Sequence, residues 1–317
     1  MTGSLEVPRT EPVVVGLVGS GYWAQTMHAP LHASPGPTRL GGIWGADAEQ
    51  TAALAAVHGV RAFPSYEELL EECEAVDLAV PPAAQAPFAV QAITAGRAVM
   101  LEKPLSDTLA GARSVLDAVD EHGVPTIVVL TKRYHERTRS FVEAAQALRS
   151  QGPLQGAVGQ YLHGGLLDDG FVASPASWRA HPFGILRDLG PHLLDLVDCA
   201  AGPVVAVRGE TTGSGYTTVT TWHEDGGSGQ LALSGRTRLA GVRTVLDVFS
   251  EHGSVGYTTA GMDHDEVWPT VRAEFAAAVR TGAPVTVDAH RAGYLSAILD
   301  AVERSVVDDR RTEVSPL

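Results

Sequence analysis

Short apolar segments alternate with helical patterns in the first part of the chain. These segments are rich in β-branched residues and lack polar alternation, which is typical of parallel strands buried on both faces. The predicted strands are Val13–Val18, Leu40–Trp44, Val76–Val80, Ala98–Leu101 and Thr126–Leu130. The predicted helices between them are Tyr22–His32, Ala48–His58, Glu67–Cys73, Ala84–Ala95 and Thr108–His122. This alternation predicts an α/β fold with a doubly wound parallel sheet.

The pattern changes near Tyr134, where longer segments rich in Thr, Val and Gly begin. The strands predicted from them are Ala157–His163, Val204–Thr211, Tyr216–His223, Gly229–Arg238 and Arg243–Glu251. Helices are predicted at Glu136–Ser150, Leu186–Ala201, Val267–Arg280 and His290–Val307. Close spacing and Gly-rich turns indicate an α+β domain with one large, mostly antiparallel sheet. We therefore expect two domains, residues 1–132 and 133–317, with the helix at 290–307 packing back on the first.

The net charge of the chain limits the classes of partner that it can bind. The 317 residues include 23 Lys and Arg against 37 Asp and Glu, which gives a net charge of −14. Such a surface repels nucleic acids and anionic membranes, so we expect neither as a partner. Residues 1–12 are predicted to be an unstructured arm without a signal-peptide core, and no segment reaches the ~18 apolar residues of a membrane span. We expect a cytoplasmic protein that binds a small molecule.

The first predicted strand runs into Gly19-Ser-Gly21-Tyr22-Trp23-Ala24, which has the pattern G-x-G-x-x-A. The first glycine allows a tight turn, the second lets a pyrophosphate approach the backbone, and Ala24 lets the helix pack close to its strand. The N–H groups at the helix start then face the phosphates. Because the motif follows a strand and opens a helix, it predicts a Rossmann domain whose residues 19 and 21–24 bind NAD or NADP.

The choice between the two dinucleotides depends on the end of the second strand. NAD sites usually place Asp or Glu at the adenosine ribose, and the corresponding residue here is Gly45. A glycine removes repulsion against the 2′-phosphate of NADP, but the next residue is Ala46 and not an arginine. Asp47 either reaches the ribose or caps the following helix. The sequence leaves NAD and NADP open and slightly favours NADP.

Candidate chemistry follows another strand of the same sheet, at Glu102-Lys103-Pro104. Ligands of open α/β sheets bind beyond the carboxyl ends of the strands. Lys103 is therefore placed to reach a nicotinamide and to exchange a proton with a substrate hydroxyl. A surface lysine without a catalytic role is the alternative that the residues alone leave open.

A second candidate is Asp188-Leu-Gly-Pro-His192, which Asp195 follows. The four-residue spacing places Asp188 and His192 on one face of a helix, and an imidazole suits proton transfer near neutral pH. The alternative is a helix start, with Asp188 as its cap and Pro191 in its first turn.

Together these motifs resemble the glucose–fructose oxidoreductase / inositol dehydrogenase (Gfo/Idh/MocA) family along nearly the whole chain. The resemblance rests on Gly19–Ala24, Val80–Pro82, Glu102–Pro104, Ser177–Arg179 and Asp188–Asp195. It implies a Rossmann domain, a second domain whose open-faced sheet forms dimers or tetramers, and catalysis by Lys103 and His192 assisted by Asp188. The chain departs from the family at Gly45, at Thr131-Lys132-Arg133 and at Phe183-Gly184-Ile185. These departures affect substrate and cofactor choice, not the fold.

The same resemblance places further residues near the reactants. Near the nicotinamide we expect Pro81, Pro82, Gln85 and Glu102. Near the substrate we expect Trp178, Arg179, His163 and His192. Arg179 has the paired donors that hold a hydroxyl, carboxylate or phosphate, and its alternative is a surface ion pair. Trp178 either faces a sugar ring or fills the core.

No metal site is expected. His28 and His32 are four residues apart, but Pro30 lies between them, and Asp263-His264-Asp265-Glu266 is interpreted as a solvated loop. The leading hypothesis is an NAD(P)-dependent oxidoreductase that transfers a hydride between nicotinamide and a hydroxyl or carbonyl carbon of a sugar, polyol or sugar derivative. The alternatives are a non-catalytic dinucleotide or sugar sensor and a reductase of a ketone or nucleotide-linked keto-sugar.

Overall fold

A computed structural model describes residues 11–169, 177–180, 182–315 and 317, so residues 1–10 of the predicted arm lie outside the described part. The chain divides into two compact units. The first contains residues 1–106, 110–129 and 266–290, and the second contains residues 107–109, 130–265 and 291–317. In the described part of the chain, every helix is too short or too polar to cross a bilayer.

The first unit contains a six-stranded parallel sheet in the order β3-β2-β1-β4-β5-β6, which confirms the predicted doubly wound fold. Its strands are β1 (Val13–Val18), β2 (Thr38–Trp44), β3 (Arg61–Ala62), β4 (Ala75–Leu78), β5 (Ala98–Leu101) and β6 (Thr126–Val128). The helices that follow them in turn are α1 (Ala29–Ala33), α2 (Ala48–His58), α3 (Tyr66–Glu72), α4 (Pro82–Thr94) and α5 (Leu109–His122). A π-helical segment, Ala24–His28, leads into α1.

The ends of α2 show how local sequence sets these bounds. The Asp47 side chain accepts a hydrogen bond from the Gln50 N–H, and Gly59 closes the helix in the left-handed conformation with φ 64°. Both features follow from the cap preferences of Asp and Gly.

The second unit contains a seven-stranded sheet in the order β12-β11-β7-β10-β9-β8-β13. Its strands β7 and β10 run parallel, and its other described pairs are antiparallel, which confirms the predicted mostly antiparallel sheet. In chain order the elements after β6 are α6 (Glu136–Arg149), β7 (Gly156–Leu162), α7 (Gly184–Ala201), β8 (Val204–Thr211), β9 (Thr217–His223), β10 (Ser228–Ser234), β11 (Arg243–Ser250), β12 (Gly253–Thr258), α8 (Trp268–Thr281), α9 (Ala289–Asp308) and β13 (Thr312–Glu313). Of these, α8 groups with the first unit. The sequence did not predict β12 or β13.

One face of this second sheet is covered and the other is open. Gly159 lies against the side chains of Leu193, Leu231 and Leu246, so α7 packs directly on the strands. On the opposite face Val158 is 49% exposed and Phe249 is 40% exposed.

Helix α8 corrects the predicted domain boundary, because it groups with the first unit. Its Arg272 donates to the Thr38 hydroxyl at 2.7 Å, and its Arg280 pairs with Glu74 at 2.6 Å. The helix that returns to the parallel sheet is therefore α8. From Arg291 onwards α9, the helix expected at 290–307 to do so, groups with the second unit.

Candidate active site

The glycine turn, Gly19–Ala24, has the geometry that a dinucleotide requires. Gly19 has φ 120°, and a Cβ there would lie 2.4 Å from the Ala79 carbonyl oxygen. At Gly21 a Cβ would meet nothing within 4 Å, so open space lies before the helix start. Ala24 is fully buried and lets the helix approach β1. Because the first N–H groups of a helix have no partner within the helix, this space fits a pyrophosphate.

Tyr22 and Trp23 lie beside this open space as an exposed aromatic pair. Their ring centroids are 5.2 Å apart in an edge-to-face arrangement, and the side chains are 58% and 37% exposed. Most large aromatic side chains are buried, so two that are exposed to water beside a predicted ligand site indicate a surface that contacts the ligand.

Gly45 leaves no room for the ribose-binding carboxylate of an NAD site. A Cβ at Gly45 would lie 2.7 Å from Thr51 Oγ1 and 3.1 Å from Ser20 Oγ. Asp47 caps α2, with its Oδ1 accepting from the Gln50 N–H at 2.9 Å, which confirms the capping interpretation. Glu49 adds a second carboxylate to the first turn of α2.

The lysine loop, Glu102–Leu105, follows β5 directly and is held by Gln85 from α4. The buried Gln85 amide accepts from the Glu102 N–H at 2.8 Å and donates to the Glu102 carbonyl at 2.6 Å. It also donates to the carbonyls of Pro104 and Leu105 at 3.1 Å. Gln85, which the sequence placed at the nicotinamide, thus contacts the backbone on both sides of Lys103. The Lys103–Pro104 peptide is cis.

Pro81 and Pro82 lie at the carboxyl end of β4. Pro81 precedes α4 and is exposed, whereas Pro82 is its first residue and is buried. A proline suits this first helical position because its missing N–H would have no partner there.

A buried histidine lies beneath the lysine loop. His28 Nδ1 is 2.8 Å from Asp77 Oδ2, and His28 Nε2 is 3.3 Å from Glu102 Oε1. Burial opposes its charge, but Asp77 and Glu102 together raise the pKa of His28 to about 10. Burial likewise opposes ionisation of Asp77, but His28, with a contribution from His32, holds the pKa of Asp77 well below its usual range. The sequence motifs did not predict this network. Its signal in the sequence is Asp77, an aspartate inside an apolar strand.

In the second unit, Asp188 and His192 lie on α7 and are both buried. The helix begins at Gly184, so Asp188 is in its second turn and the alternative that Asp188 caps the helix start is wrong. Pro191 lies inside the helix, where it cannot donate to the carbonyl of Arg187.

Arg179 joins two of the predicted motifs within this unit. Its Nε donates to Asp188 Oδ2 at 2.9 Å, and its guanidinium lies 4.4 Å from the centroid of the Trp178 ring. The side chains of Arg179 and Asp188 are only 13% and 10% exposed, so this ion pair is mostly buried and is not on the surface.

Tyr161 and Lys132 extend this cluster, and the sequence did not single out either as a site residue. The Tyr161 ring packs edge-to-face against the imidazoles of His192 and His163, with both centroid distances at 5.9 Å. The Lys132 amine lies 4.4 Å above the same ring, and Lys132 is 5% exposed. His163 is buried, and its Nδ1 accepts from the Gly165 N–H at 2.8 Å. Burying a lysine side chain costs free energy, so its presence among these rings marks the cluster as a candidate functional site.

The two histidines considered as a metal pair bind a carboxylate instead. His28 and His32 both contact Asp77 Oδ2, His32 at 3.1 Å. Among the described residues, no group of three or more His, Cys, Asp and Glu side chains is arranged to hold a metal ion.

Comparison with known proteins relates the first unit to a known family. Residues 13–130 match the model of the GFO_IDH_MocA oxidoreductase family, described as an NAD-binding Rossmann fold. Residues 13–130, which make up most of the first unit, therefore resemble that family. The match contains the glycine turn and the lysine loop.

Two curated relatives are enzymes of nucleotide-linked sugars. The chain is 29% identical over 203 residues to dTDP-3,4-didehydro-2,6-dideoxy-alpha-D-glucose 3-reductase of Streptomyces violaceoruber, covering 62% of this chain and 56% of the relative. It is 30% identical over 181 residues to UDP-N-acetylglucosamine 3-dehydrogenase of Acidithiobacillus ferrooxidans, covering 57% and 52%. The chain thus spans about half the length of the curated relatives that it matches.

Solved structures resemble the fold over nearly the whole chain. GenD2 from gentamicin A biosynthesis, in complex with NAD, gives a TM-score of 0.84 at 24% identity and covers 98% of this chain and 99% of its own. The WlbA dehydrogenase of Bordetella pertussis, in complex with NADH and UDP-GlcNAcA, gives 0.85 at 21% identity and covers 97% and 99%. At these identities the structural similarity establishes only the fold of this chain.

Proposed function

We propose that this protein is an NAD(P)-dependent oxidoreductase that transfers a hydride between nicotinamide and a hydroxyl or carbonyl carbon of a sugar, polyol or sugar derivative. The observation that carries the proposal lies within the first unit. There, a lysine loop held by Gln85 follows β5 of the same parallel sheet whose β1 leads into the glycine turn. Ligands of such sheets bind at this edge.

Lys103 is proposed as the general acid and base. When bound, the dinucleotide supplies the nicotinamide carbon that accepts or donates the hydride. The Lys103 amine takes the proton of the substrate hydroxyl during oxidation and returns it during reduction. Lys103 and Lys132 are the only two lysines among the 23 basic residues. The other basic residues are arginines, which do not lose a proton in proteins and cannot serve as this base.

The second unit is proposed to bind the substrate. His192 holds the reacting oxygen and relays its proton, and Asp188 orients the imidazole. The Trp178 and Arg179 pair and His163 contact the rest of the substrate. Support comes from the buried cluster that joins Arg179 to Asp188 and packs Tyr161 on His192.

The dinucleotide site is proposed to hold NAD or NADP at Gly19, Gly21, Tyr22, Trp23 and Ala24, with Pro81, Pro82 and Glu102 towards the nicotinamide. The missing carboxylate at Gly45 favours NADP. However, Asp47 and Glu49 bring two carboxylates to this turn, and residues 45–50 include no Lys or Arg. Because these carboxylates repel a 2′-phosphate, we place NAD ahead of NADP.

Self-association through the second sheet is also proposed. Val158 and Phe249 share the uncovered face, since β7 and β11 pair Gly156 with Phe249 and Val158 with Asp247. An exposed apolar patch on an open sheet is typical of an interface. Replacing both residues with arginine should convert a dimer or tetramer to monomers in sedimentation velocity. A wild-type chain that sediments as a monomer at micromolar concentration contradicts this part.

The test of the proposed function combines a dinucleotide titration with a substrate panel. NADH and NADPH binding is measured by fluorescence. Turnover is then followed by reduced-nicotinamide absorbance with polyols, free sugars, simple ketones and nucleotide-linked sugars. Lys103→Met should lower kcat by about a thousandfold, as for loss of a general acid or base with its positioning, with dinucleotide affinity largely retained. Arg39→Met, which removes a positive charge from an exposed position of β2, is the matched control. Unchanged turnover in Lys103→Met refutes the assigned role.

A further inference from the structure

His28 connects two parts of the first unit that belong to the proposed reaction. It ends the π-helical segment that leads away from the glycine turn. Its imidazole also contacts the side chain of Glu102, the first residue of the lysine loop. The other oxygen of that carboxylate, Oε2, accepts from the backbone N–H of Lys103 at 3.1 Å. Two contacts thus connect His28, through the Glu102 carboxylate, to the backbone of Lys103.

The partners of the ring determine its protonation. Asp77 Oδ2 lies at Nδ1 and Glu102 Oε1 lies at Nε2, and an ionised carboxylate only accepts hydrogen bonds. Each ring nitrogen must therefore carry a proton to satisfy its partner, which makes His28 an imidazolium. An imidazolium between two carboxylates forms two charge-assisted hydrogen bonds in fixed directions.

The backbone also points to a specific placement of this ring. The Ala29 N–H bonds to the Ala24 carbonyl, five residues back, where an α-helix would bond four residues back. Such π turns are rare, and they occur frequently at functional sites. His28 is the last residue of this segment and is fully buried.

We propose that His28 is a positioning residue, which fixes the lysine loop relative to the helix of the glycine turn through its bonds to Asp77 and Glu102. This inference rests on the proposed role of Lys103. It assigns His28 no contact with substrate or dinucleotide. Its action is to hold the Glu102 carboxylate, and through it the backbone of Lys103, while the dinucleotide is bound.

His32 provides a matched control. It is equally buried and donates from Nε2 to the same oxygen of Asp77, while its Nδ1 lies 2.8 Å from Thr38 Oγ1. The His32 ring bonds no residue of the lysine loop. Replacing His32 with glutamine therefore perturbs the same buried aspartate without touching Glu102. A merely structural role of the network predicts equal effects of His28→Gln and His32→Gln on turnover.

The first measurement is kinetic and uses the full-length protein with the best substrate of the panel. His28→Gln should lower kcat by about tenfold to a hundredfold, the effect of misplacing a reacting group by about 1 Å. NADH affinity should stay within about threefold, because the glycine turn is intact. His32→Gln should retain kcat. Glu102→Gln should lower kcat as well, and the double variant should lose less than the product of the two single losses.

The second measurement needs no turnover. An amine-reactive acetylating reagent labels side-chain amines, and this chain has two lysines, so Lys132 serves as the internal reference for Lys103. The ratio of their labelling rates, read by peptide mass spectrometry with NADH bound, should change at least threefold or so in His28→Gln when the loop is released. It should stay constant in His32→Gln.

The third measurement reads the ring itself. Histidine-selective ¹⁵N NMR at about pH 8, where an ordinary histidine is neutral, should show both His28 nitrogens at the imidazolium position. A neutral His28 overturns the proposal, as does an unchanged labelling ratio in His28→Gln or an equal loss of kcat in the two glutamine variants. If no substrate of the panel turns over, the proposed function fails alone, and the labelling and NMR results still decide this inference.

Discussion

Arg179 and Asp188 form a mostly buried ion pair, in which the guanidinium Nε donates to Asp188 Oδ2 at 2.9 Å. The pair fixes the short turn Trp178–Ala180 on α7. It also means that the carboxylate proposed to orient His192 is itself held by a cation that stacks on Trp178. Two motifs nine residues apart thus act as one structural group.

Arg179→Gln should destabilise the protein, because it removes a cation that pairs with the mostly buried Asp188 carboxylate. We expect a loss of about 3 kcal/mol in the free energy of unfolding, the usual result of removing one partner of a buried pair. Urea unfolding measures it. In a double-mutant cycle with Asp188→Asn, the coupling should exceed about 1 kcal/mol. Additive effects of the two substitutions contradict the pair.

Phe183 has φ 60°, a left-handed conformation at the start of α7. Asparagine tolerates this region, whereas a β-branched residue is the least suited to it. Phe183→Asn should therefore be more stable than Phe183→Val by about 1 kcal/mol, although valine is the more apolar residue. Thermal unfolding of the two variants compares them directly. The reverse order would show that burial at this position outweighs the backbone conformation.

The fold was predictable where local chemistry and pattern agree. Asp47 and Gly59 cap α2 as their side chains dictate. By contrast, β12 has two glycines and one buried residue, so neither apolar alternation nor propensity reveals it. It forms because β11 offers a hydrogen-bonding edge, which is a tertiary effect. At Pro191 the local signal is wrong, because it suggests the first turn of a helix. Burial on the sheet instead keeps α7 continuous through this residue, although proline lacks the N–H.

The candidate site divides in the same manner. Gly19, Gly21 and Ala24 follow from a spacing whose backbone requirements are known. The placement of His28 between Asp77 and Glu102 depends on three separate elements and a π turn, which no local pattern encodes. Likewise Tyr161 joins His163 to His192 only because β7 packs under α7.

Ala46→Arg should change the preference between the dinucleotides. The residue is exposed and follows Gly45, so an arginine there can reach a 2′-phosphate without displacing the core. We expect NADPH affinity to rise about tenfold, which is the gain expected from one charge-assisted hydrogen bond. NADH affinity should change little. Fluorescence titration of both dinucleotides measures the ratio, with Ala46→Gln as the uncharged control. Equal gains in the two variants would show that charge is not the cause.

The His28–Asp77 pair should make stability depend on pH. The pKa of His28 is about 10 in the folded protein against an ordinary value of 6.5, so folding binds a proton more tightly at this ring. The resulting stabilisation is complete below pH 6.5 and is lost as the pH rises towards 10. Wild type should therefore exceed His28→Gln in unfolding free energy by the largest margin near neutral or slightly acidic pH.

Urea unfolding of both proteins across this alkaline range tests the prediction. The difference between them, not the stability of either alone, is the relevant quantity, because other groups titrate equally in both. It should shrink steadily as the pH approaches 10. A margin that stays constant would mean that His28 is neutral in the folded protein. Asp77 or Glu102 would then have to hold the proton between the ring and its partner, and the charge-assisted bond to Glu102 would be absent.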